Sequence, residues 1–298
     1  MKLYFSKNNA VLSLLVLLLF ISSSLTAQYT FSIDSNATNF SRVQYGVSIL
    51  SKALTSIQNK KPQRFQIKID TALTKKESFQ ITSKAGVTKI TGADASGILY
   101  GCLSVVDSIQ KNSKLPLHMN VSDAPEMVLR GTCIGVQKPY YLPERTVYEY
   151  PYTPETFPWF YDKTLWIKVL DSLLANRMNS LYLWNGHPFA SLVKLKDYPY
   201  AVEVSEETFA KNEEIYKFIT AEADKRGIWV IQMFYNIIVS KPFAAYHQIK
   251  TQDRNRPIIP LIADYTRKSI AAFVEKYPNV GLMVCLGEAM EGVGNDDG

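Results

Sequence analysis

Residues 28–125 contain short stretches in which apolar and polar residues alternate, the pattern typical of strands with one buried face. The alternation is clearest in Phe65-Ile67-Ile69 and in Phe79-Ile81. The predicted strands are Tyr29–Ile33, Arg64–Ile69, Ser78–Ser83 and Val87–Thr91. Two helix-like stretches separate them, Arg42–Ile57 and Ala95–Ser113. The pattern therefore predicts a small α+β domain of about a hundred residues, which is a common domain size.

From Val128 onward the chain alternates between apolar runs and longer amphipathic stretches. The apolar runs are Leu129–Val136, Met178–Trp184, Ile228–Ile238 and Val280–Leu286. The stretches between them are Leu165–Asn176, Glu206–Arg226 and Ile262–Tyr277. Four strands alternating with three helices indicate a parallel sheet with right-handed crossovers. The predicted fold class is therefore α/β: a small α+β domain, residues 28–125, followed by the first half of a (β/α)8 TIM barrel in residues 126–298.

A complete barrel of this kind typically needs ~250 residues. The sequence after Met127 is shorter than that. We therefore expect the other four strands to lie outside this sequence, and we expect residues 28–298 alone to be inactive.

The N-terminus has the order of a secretory signal peptide: two lysines, an apolar core and then small residues. Lys2 and Lys7 precede the apolar stretch Ala10–Ile21, and Ser22–Ser24 lead to Ala27. The alternative is a retained membrane anchor, but a spanning helix needs ~20 apolar residues and this core is shorter. We predict that residues 1–27 are removed and that the protein is exported, periplasmic or extracellular, without stable membrane insertion.

The charge argues against a nucleic-acid partner, and the cysteines argue against a disulfide framework or a zinc site. The formal charge is +6, of which Lys2 and Lys7 leave with the predicted signal peptide, and the remaining lysines are scattered. A nucleic-acid partner is therefore not expected. The three cysteines, Cys102, Cys133 and Cys285, are far apart and each lies in an apolar run, so we interpret them as buried hydrophobic residues. No disulfide framework, metal site or cofactor is predicted.

The last apolar run ends at a carboxylate, Glu288, and a second one, Glu291, follows it. In parallel α/β folds ligands bind outside the carboxyl ends of the strands. Desolvation at the end of an apolar strand would raise the pKa of a glutamate, as a general acid requires. Glu288 is therefore the predicted catalytic acid, and Glu291 is a predicted ligand of a sugar hydroxyl or a loop cap.

Other polar and aromatic residues accompany the strands and are predicted to bind substrate: Arg130, Trp184, Asn185, His187, Tyr235 and Asn236. Tryptophan and tyrosine rings can stack on sugar rings, and amide and imidazole groups can form hydrogen bonds with hydroxyls or a carboxylate. For His187 a structural role in its loop is an equal alternative. The aromatic, proline-rich loop Tyr140–Tyr161 also suits a carbohydrate cleft, and packing over the barrel is its alternative explanation.

One motif resembles a known domain. Residues 90–101 run from a strand through Gly92 and Asp94 into a helix that carries Gly97 and Gly101. The motif resembles the small domain that precedes the catalytic barrel in family 67 α-glucuronidases and family 20 β-hexosaminidases. Residues 128–298 likewise resemble the front half of those barrels, where the acid glutamate ends the fourth strand.

The resemblance implies a glycosidase with Glu288 as its acid. Family 20 enzymes have an aspartate immediately before that glutamate. This chain has Gly287 there instead, which counts against a β-hexosaminidase. We therefore expect an exported glycoside hydrolase that acts on a polysaccharide, with uronic-acid residues as one target. The alternative is a carbohydrate-binding barrel protein without catalysis.

Overall fold

The computed structural model describes residues 29–57, 62–145, 150–253, 259–277 and 279–285. The predicted signal peptide, Glu288 and Glu291 lie outside these residues. Within the described ranges, no helix is both long and apolar enough to cross a membrane.

The first domain is a five-stranded sheet with two long helices. Its strands are β1 (Tyr29–Ile33), β2 (Gln63–Ile69), β3 (Phe79–Lys84), β4 (Val87–Gly92) and β5 (Asn120–Asp123), and its helices are α1 (Ser41–Thr55) and α2 (Ala95–Asn112). The strand order is β1-β2-β4-β3-β5. Strands β1, β2 and β4 are parallel, whereas β3 pairs antiparallel with β4 and β5. Alternating side chains of the strands pack against both helices in one apolar core.

The start of α2 contains the strand–glycine–helix motif of residues 90–101, and its contacts explain the residue pattern. One carboxylate oxygen of Asp94 accepts a hydrogen bond from the Gly97 amide at 2.9 Å and so caps the helix. The other accepts from the Glu77 amide at 2.9 Å, which ties the helix start to the loop before β3. Gly97 lies directly against the carbonyl oxygen of Ser78, where a side chain would overlap that oxygen. The motif therefore serves the packing of the helix against the sheet.

The second domain is a parallel sheet whose strands are joined by helices. Its strands are β6 (Gly131–Gly135), β7 (Ser180–Trp184), β8 (Trp229–Tyr235) and β9 (Val280–Cys285). Its helices are α3 (Lys163–Ala175), α4 (Phe189–Leu192), α5 (Glu206–Lys225), α6 (Lys241–Tyr246) and α7 (Pro260–Lys276). The order β6-β7-β8-β9 follows the chain, and every pairing is parallel. The α/β class is confirmed, while closure into an eight-stranded barrel stays a prediction.

The two faces of this sheet differ. Leu181, Leu183 and Val230 belong to the apolar core formed with the helices. Side chains alternate along a strand, so Cys133 and Met283 lie on the opposite face, where both are exposed. The prediction that all three cysteines are buried is therefore wrong: Cys102 is buried, but Cys285 is only partly so.

Arg130 lies at the start of β6, the opposite edge of the sheet from the carboxyl ends of the strands. Its guanidinium donates to Glu77 at 2.7 Å and to the carbonyl oxygens of Met127 and Arg177 at 2.7 and 3.0 Å. These contacts join the first domain to the sheet, and the substrate-binding role of Arg130 stays a prediction.

Further polar contacts join α1 to α5. Arg42 donates to a carboxylate oxygen of Asp224 at 2.9 Å and to its carbonyl oxygen at 3.1 Å. The Tyr45 hydroxyl donates to Asp171 of α3 at 3.1 Å, and the Arg226 guanidinium lies 4.7 Å from the centre of the Tyr45 ring. An ion pair, a hydrogen bond and a cation–π contact therefore join the two domains.

Candidate functional site

The carboxyl ends of the four parallel strands meet at one edge of the second sheet, and this edge is the candidate site. The register places Gly135 beside Trp184 and Tyr235 beside Cys285. Glu288 follows Cys285 by three residues in the sequence. Its side chain lies outside the described residues, so the structure does not test its predicted role.

Trp184 and Tyr235 form an aromatic pair at this edge. Their ring centres are 5.6 Å apart, with the planes nearly perpendicular. Tyr235 is 5% exposed, whereas Trp184 is half-buried. Ile238 and Cys285 belong to the same small apolar cluster. Trp184 therefore keeps some exposed surface at this edge, and the Tyr235 ring packs against it nearly at right angles.

Asn185 is fully buried, and its amide is used within the protein. The nitrogen donates to the carbonyl oxygens of Val136 and Tyr150, both at 2.9 Å. The oxygen accepts from the backbone amide of His187 at 2.9 Å. Asn185 therefore holds the loop after β6 against the loop after β7, and its substrate contact stays a prediction.

His187 is also buried, at 5% exposure. Its Nε2 lies 2.9 Å from the Tyr265 hydroxyl, and its Nδ1 has no hydrogen-bond partner among the described residues. Burial lowers the pKa of His187 to about 3, because a charged imidazolium would lose its hydration there. The side chain is neutral at physiological pH, and its position supports the structural alternative rather than contact with substrate.

Asn236 comes directly after β8 and is half-buried. Its side-chain oxygen is shielded from solvent and has no hydrogen-bond partner among the residues that the structure describes. A buried polar atom without a partner is costly. Asn236 therefore remains a candidate for substrate contact, in the loop that follows Tyr235.

The aromatic loop divides into a buried part and an exposed part. Its buried rings fill the core over the ends of α3 and α5: Tyr150, Tyr152, Phe157 and Phe160. The amide of Asn212 donates to the carbonyl oxygens of Tyr152 and Ser191 at 2.9 and 3.0 Å, which fixes this part to α4. Tyr140 and Tyr141, by contrast, are 60% and 43% exposed. Within the described residues of the loop, these two tyrosines are the aromatic residues most exposed to solvent.

Gln137 and Lys138 follow the end of β6, and neither was selected from the sequence. Gly135 carries no side chain, and the side chain of Gln137 lies against it: a Cβ at Gly135 would be 3.1 Å from the Gln137 amide nitrogen. The ammonium of Lys138 lies 5.2 Å from the centre of the Phe157 ring. Trp184 was selected because ligands bind beyond the carboxyl ends of parallel strands, and the same argument applies to these two residues. No group of three or more His, Cys, Asp or Glu in the described ranges is arranged to hold a metal ion.

Comparison with solved structures identifies relatives. The chain is similar to a GH138 enzyme targeting pectin rhamnogalacturonan II, at 57% identity with a TM-score of 0.81. The match covers 88% of this chain and 39% of that enzyme, so the chain spans well under half of its length. No protein-family model matches the sequence, and the search of curated proteins returned no match.

More distant matches share the fold. Flavobacterium johnsoniae chitobiase (FjGH20) is 17% identical, with a TM-score of 0.54 over 86% of this chain and 40% of that one. A GH20 β-N-acetylhexosaminidase from Streptomyces coelicolor is 12% identical, with a TM-score of 0.55 over 86% of this chain and 55% of that one. The chain therefore has a fold found in glycoside hydrolases. The likeness to family 20 holds at the level of fold, and that to family 67 stays a prediction.

Proposed function

We propose that this chain is part of an exported glycoside hydrolase that acts on a pectic polysaccharide of the rhamnogalacturonan II type. The observation that carries the proposal is the 57% identity with the GH138 enzyme, which extends over both domains. In this proposal residues 1–27 direct export, residues 28–125 form an accessory domain, and β6 to β9 are the first half of a (β/α)8 barrel.

Glu288 acts as the general acid. Its proton passes to the glycosidic oxygen as the bond from that oxygen to the anomeric carbon breaks, and water finally supplies the hydroxyl of the released sugar. A second carboxylate, contributed by a strand beyond this sequence, completes the pair that such hydrolysis needs. Trp184 stacks on a sugar ring, and Asn236 and Glu291 bind hydroxyls.

The test is hydrolysis of rhamnogalacturonan II oligosaccharides by the full-length protein and by its Glu288→Gln variant. Loss of a general acid reduces kcat by roughly 100-fold to 10,000-fold. Glu207→Gln is the matched control, because Glu207 is exposed on α5 and pairs with Lys211. Full activity of Glu288→Gln would exclude the assigned role, and binding without hydrolysis by the wild-type protein would favour the carbohydrate-binding alternative. An aryl α-glucuronide in the same assay tests the uronic-acid specificity that the family 67 likeness implies.

A further inference from the structure

Tyr246, the last residue of α6, presents one side of its ring to solvent. The side chain is 66% exposed. The other side of the ring stacks on Tyr200, which lies in the short turn Pro199–Ala201 before α5. The ring centres are 3.9 Å apart, and the planes differ by 18°. Tyr200 and Tyr246 thus form a two-layered aromatic platform with one flat face toward solvent.

The lower ring of this platform is fixed by its neighbours. The Tyr200 hydroxyl lies 2.8 Å from Nε2 of His247. On the inner side, the Tyr200 ring lies nearly parallel to the ring of Phe243, with 6.4 Å between the centres. Phe243 is fully buried and stacks in turn on Tyr265 at 4.1 Å. Tyr200 therefore supports Tyr246 as part of the core, and it cannot turn away without breaking these contacts.

Helix α6, which carries Tyr246, is anchored at both ends. The Ser240 hydroxyl accepts a hydrogen bond from the Phe243 amide at 3.3 Å and caps the start of the helix. After the helix, the Ile249 amide donates to the carbonyl oxygen of Ala244 at 3.0 Å, and the Ile249 side chain packs against the core. A ring held on a fixed backbone loses little conformational entropy when a ligand covers it.

The platform is separate from the candidate site at the strand ends. Phe243 and Tyr265 belong to the core between the sheet and the helices, and Tyr200 packs against that core. Trp184 and Tyr235 belong to a different apolar cluster, which also contains Cys285. The platform therefore lies on the helical side of the second domain, whereas Trp184 marks the edge of the sheet.

The shape and polarity of the platform indicate the class of ligand. A single exposed apolar side chain is common and needs no ligand, but a ring that is backed by a second, fixed ring provides a flat and preorganised surface. Polar groups lie at its rim, because the Tyr246 ring meets the half-buried His247 ring edge to face at 5.1 Å. A pyranose ring offers the matching features, a face of C–H bonds surrounded by hydroxyl groups.

We propose that the aromatic platform of Tyr200 and Tyr246 binds a sugar residue of the polysaccharide at a position remote from the bond that is cleaved. Tyr246 packs on the apolar face of the sugar ring, and Tyr200 and His247 keep Tyr246 in place. The inference rests on the proposed function, which supplies the identity of the polysaccharide. The platform holds a long chain on the protein and takes no part in bond cleavage.

The experiment compares a long and a short ligand on the full-length protein: rhamnogalacturonan II, and one of its oligosaccharides of two or three sugars. Binding to the immobilised polysaccharide is measured by biolayer interferometry, and kcat and KM are measured on both ligands in solution. One aromatic contact corresponds to about a 3-fold to 10-fold change in Kd. We expect Tyr246→Ala to raise Kd and KM for the polysaccharide by about that factor, with kcat and the short ligand unaffected. Tyr246→Trp, which keeps a flat ring, should bind as the wild type does.

Phe40→Ala is the matched control, because Phe40 is an exposed ring of the first domain. It should bind the polysaccharide as the wild type does. Unchanged binding by Tyr246→Ala, equal weakening by Phe40→Ala, or equal losses on the long and the short ligand would each overturn the platform. Circular dichroism checks the fold of each variant, and Tyr246→Gln takes the place of a Tyr246→Ala that misfolds.

The two proposals fail in different ways. Binding of the polysaccharide that depends on Tyr246 but leads to no hydrolysis would refute the proposed function and leave the platform standing. Hydrolysis of the polysaccharide that is insensitive to Tyr246→Ala would refute the platform and leave the proposed function standing.

Discussion

Replacing His187 with glutamine should make the stability of the protein less sensitive to acid. His187 is buried against the Phe189 and Tyr265 rings and carries a pKa of about 3. The unfolded chain exposes the same imidazole, whose ordinary pKa is ~6.5. Between these two values the unfolded state binds a proton that the folded state does not. The contribution of neutral His187 to the free energy of unfolding is therefore fully present above pH 6.5 and is lost as the pH falls below that value.

The size of the effect follows from the pKa difference. Each pH unit within this window lowers the free energy of unfolding by about 1.4 kcal/mol for a single group. Acidification from pH 6.5 to pH 5 should thus cost the wild type about 2 kcal/mol through this one side chain. Glutamine keeps a polar group near the Tyr265 hydroxyl but does not titrate, so His187→Gln should escape that loss.

The assay is urea unfolding of the full-length protein at pH 7 and pH 5, followed by tryptophan fluorescence at constant ionic strength. His118→Gln is the matched control, because His118 is exposed in the first domain. The difference in free energy of unfolding between wild type and His187→Gln should shrink by about 2 kcal/mol at the lower pH. An identical difference at both pH values would show that His187 takes up its proton in the folded state over the same pH range as in the unfolded state, and the argument from burial would fail.

Two further predictions concern the first domain and its junction with the sheet. Replacing Glu77 with alanine removes the largely buried carboxylate that faces Arg130, so the free energy of unfolding should fall by about 2 to 4 kcal/mol in urea titrations. Lys75→Ala, which breaks an exposed pair, should change it by less than about 1 kcal/mol, and equal effects would refute the distinction. Gly97→Ala should lower the melting temperature even though alanine favours helices by about 1 kcal/mol, because the methyl group would overlap the Ser78 carbonyl oxygen. A higher melting temperature would contradict that packing.

Much of the fold could be predicted because its long elements carry a clear period. The helix predicted at Glu206–Arg226 is observed at Glu206–Lys225, and the strand predicted at Val280–Leu286 is observed at Val280–Cys285. Short elements were missed. β5 has a single apolar residue, Val121, and exists because it pairs with β3, which is distant from it in sequence. Contacts of that kind leave no local pattern.

The candidate site was less predictable, because position along a strand determines the edge but not the direction of a side chain. Trp184 and Asn185 are neighbours at the same strand end, yet one keeps exposed surface and the other is fully buried. The two side chains differ in burial because the carbonyl oxygens of the loop after β6 need hydrogen-bond donors, and the Asn185 amide supplies them. The partner of a buried amide is decided by tertiary packing, and residue type alone could not identify it.

The amides of Asn185 and Asn212 also have a consequence for protein engineering. Each binds backbone carbonyl oxygens of the loop after β6 from a different element. Moving residues 136–161 into another protein of this fold would therefore preserve the positions of the exposed residues only if both asparagines, or residues that donate in the same way, were present there as well. The unit that can be exchanged between proteins of this fold is the loop together with two amides that are distant from it in sequence.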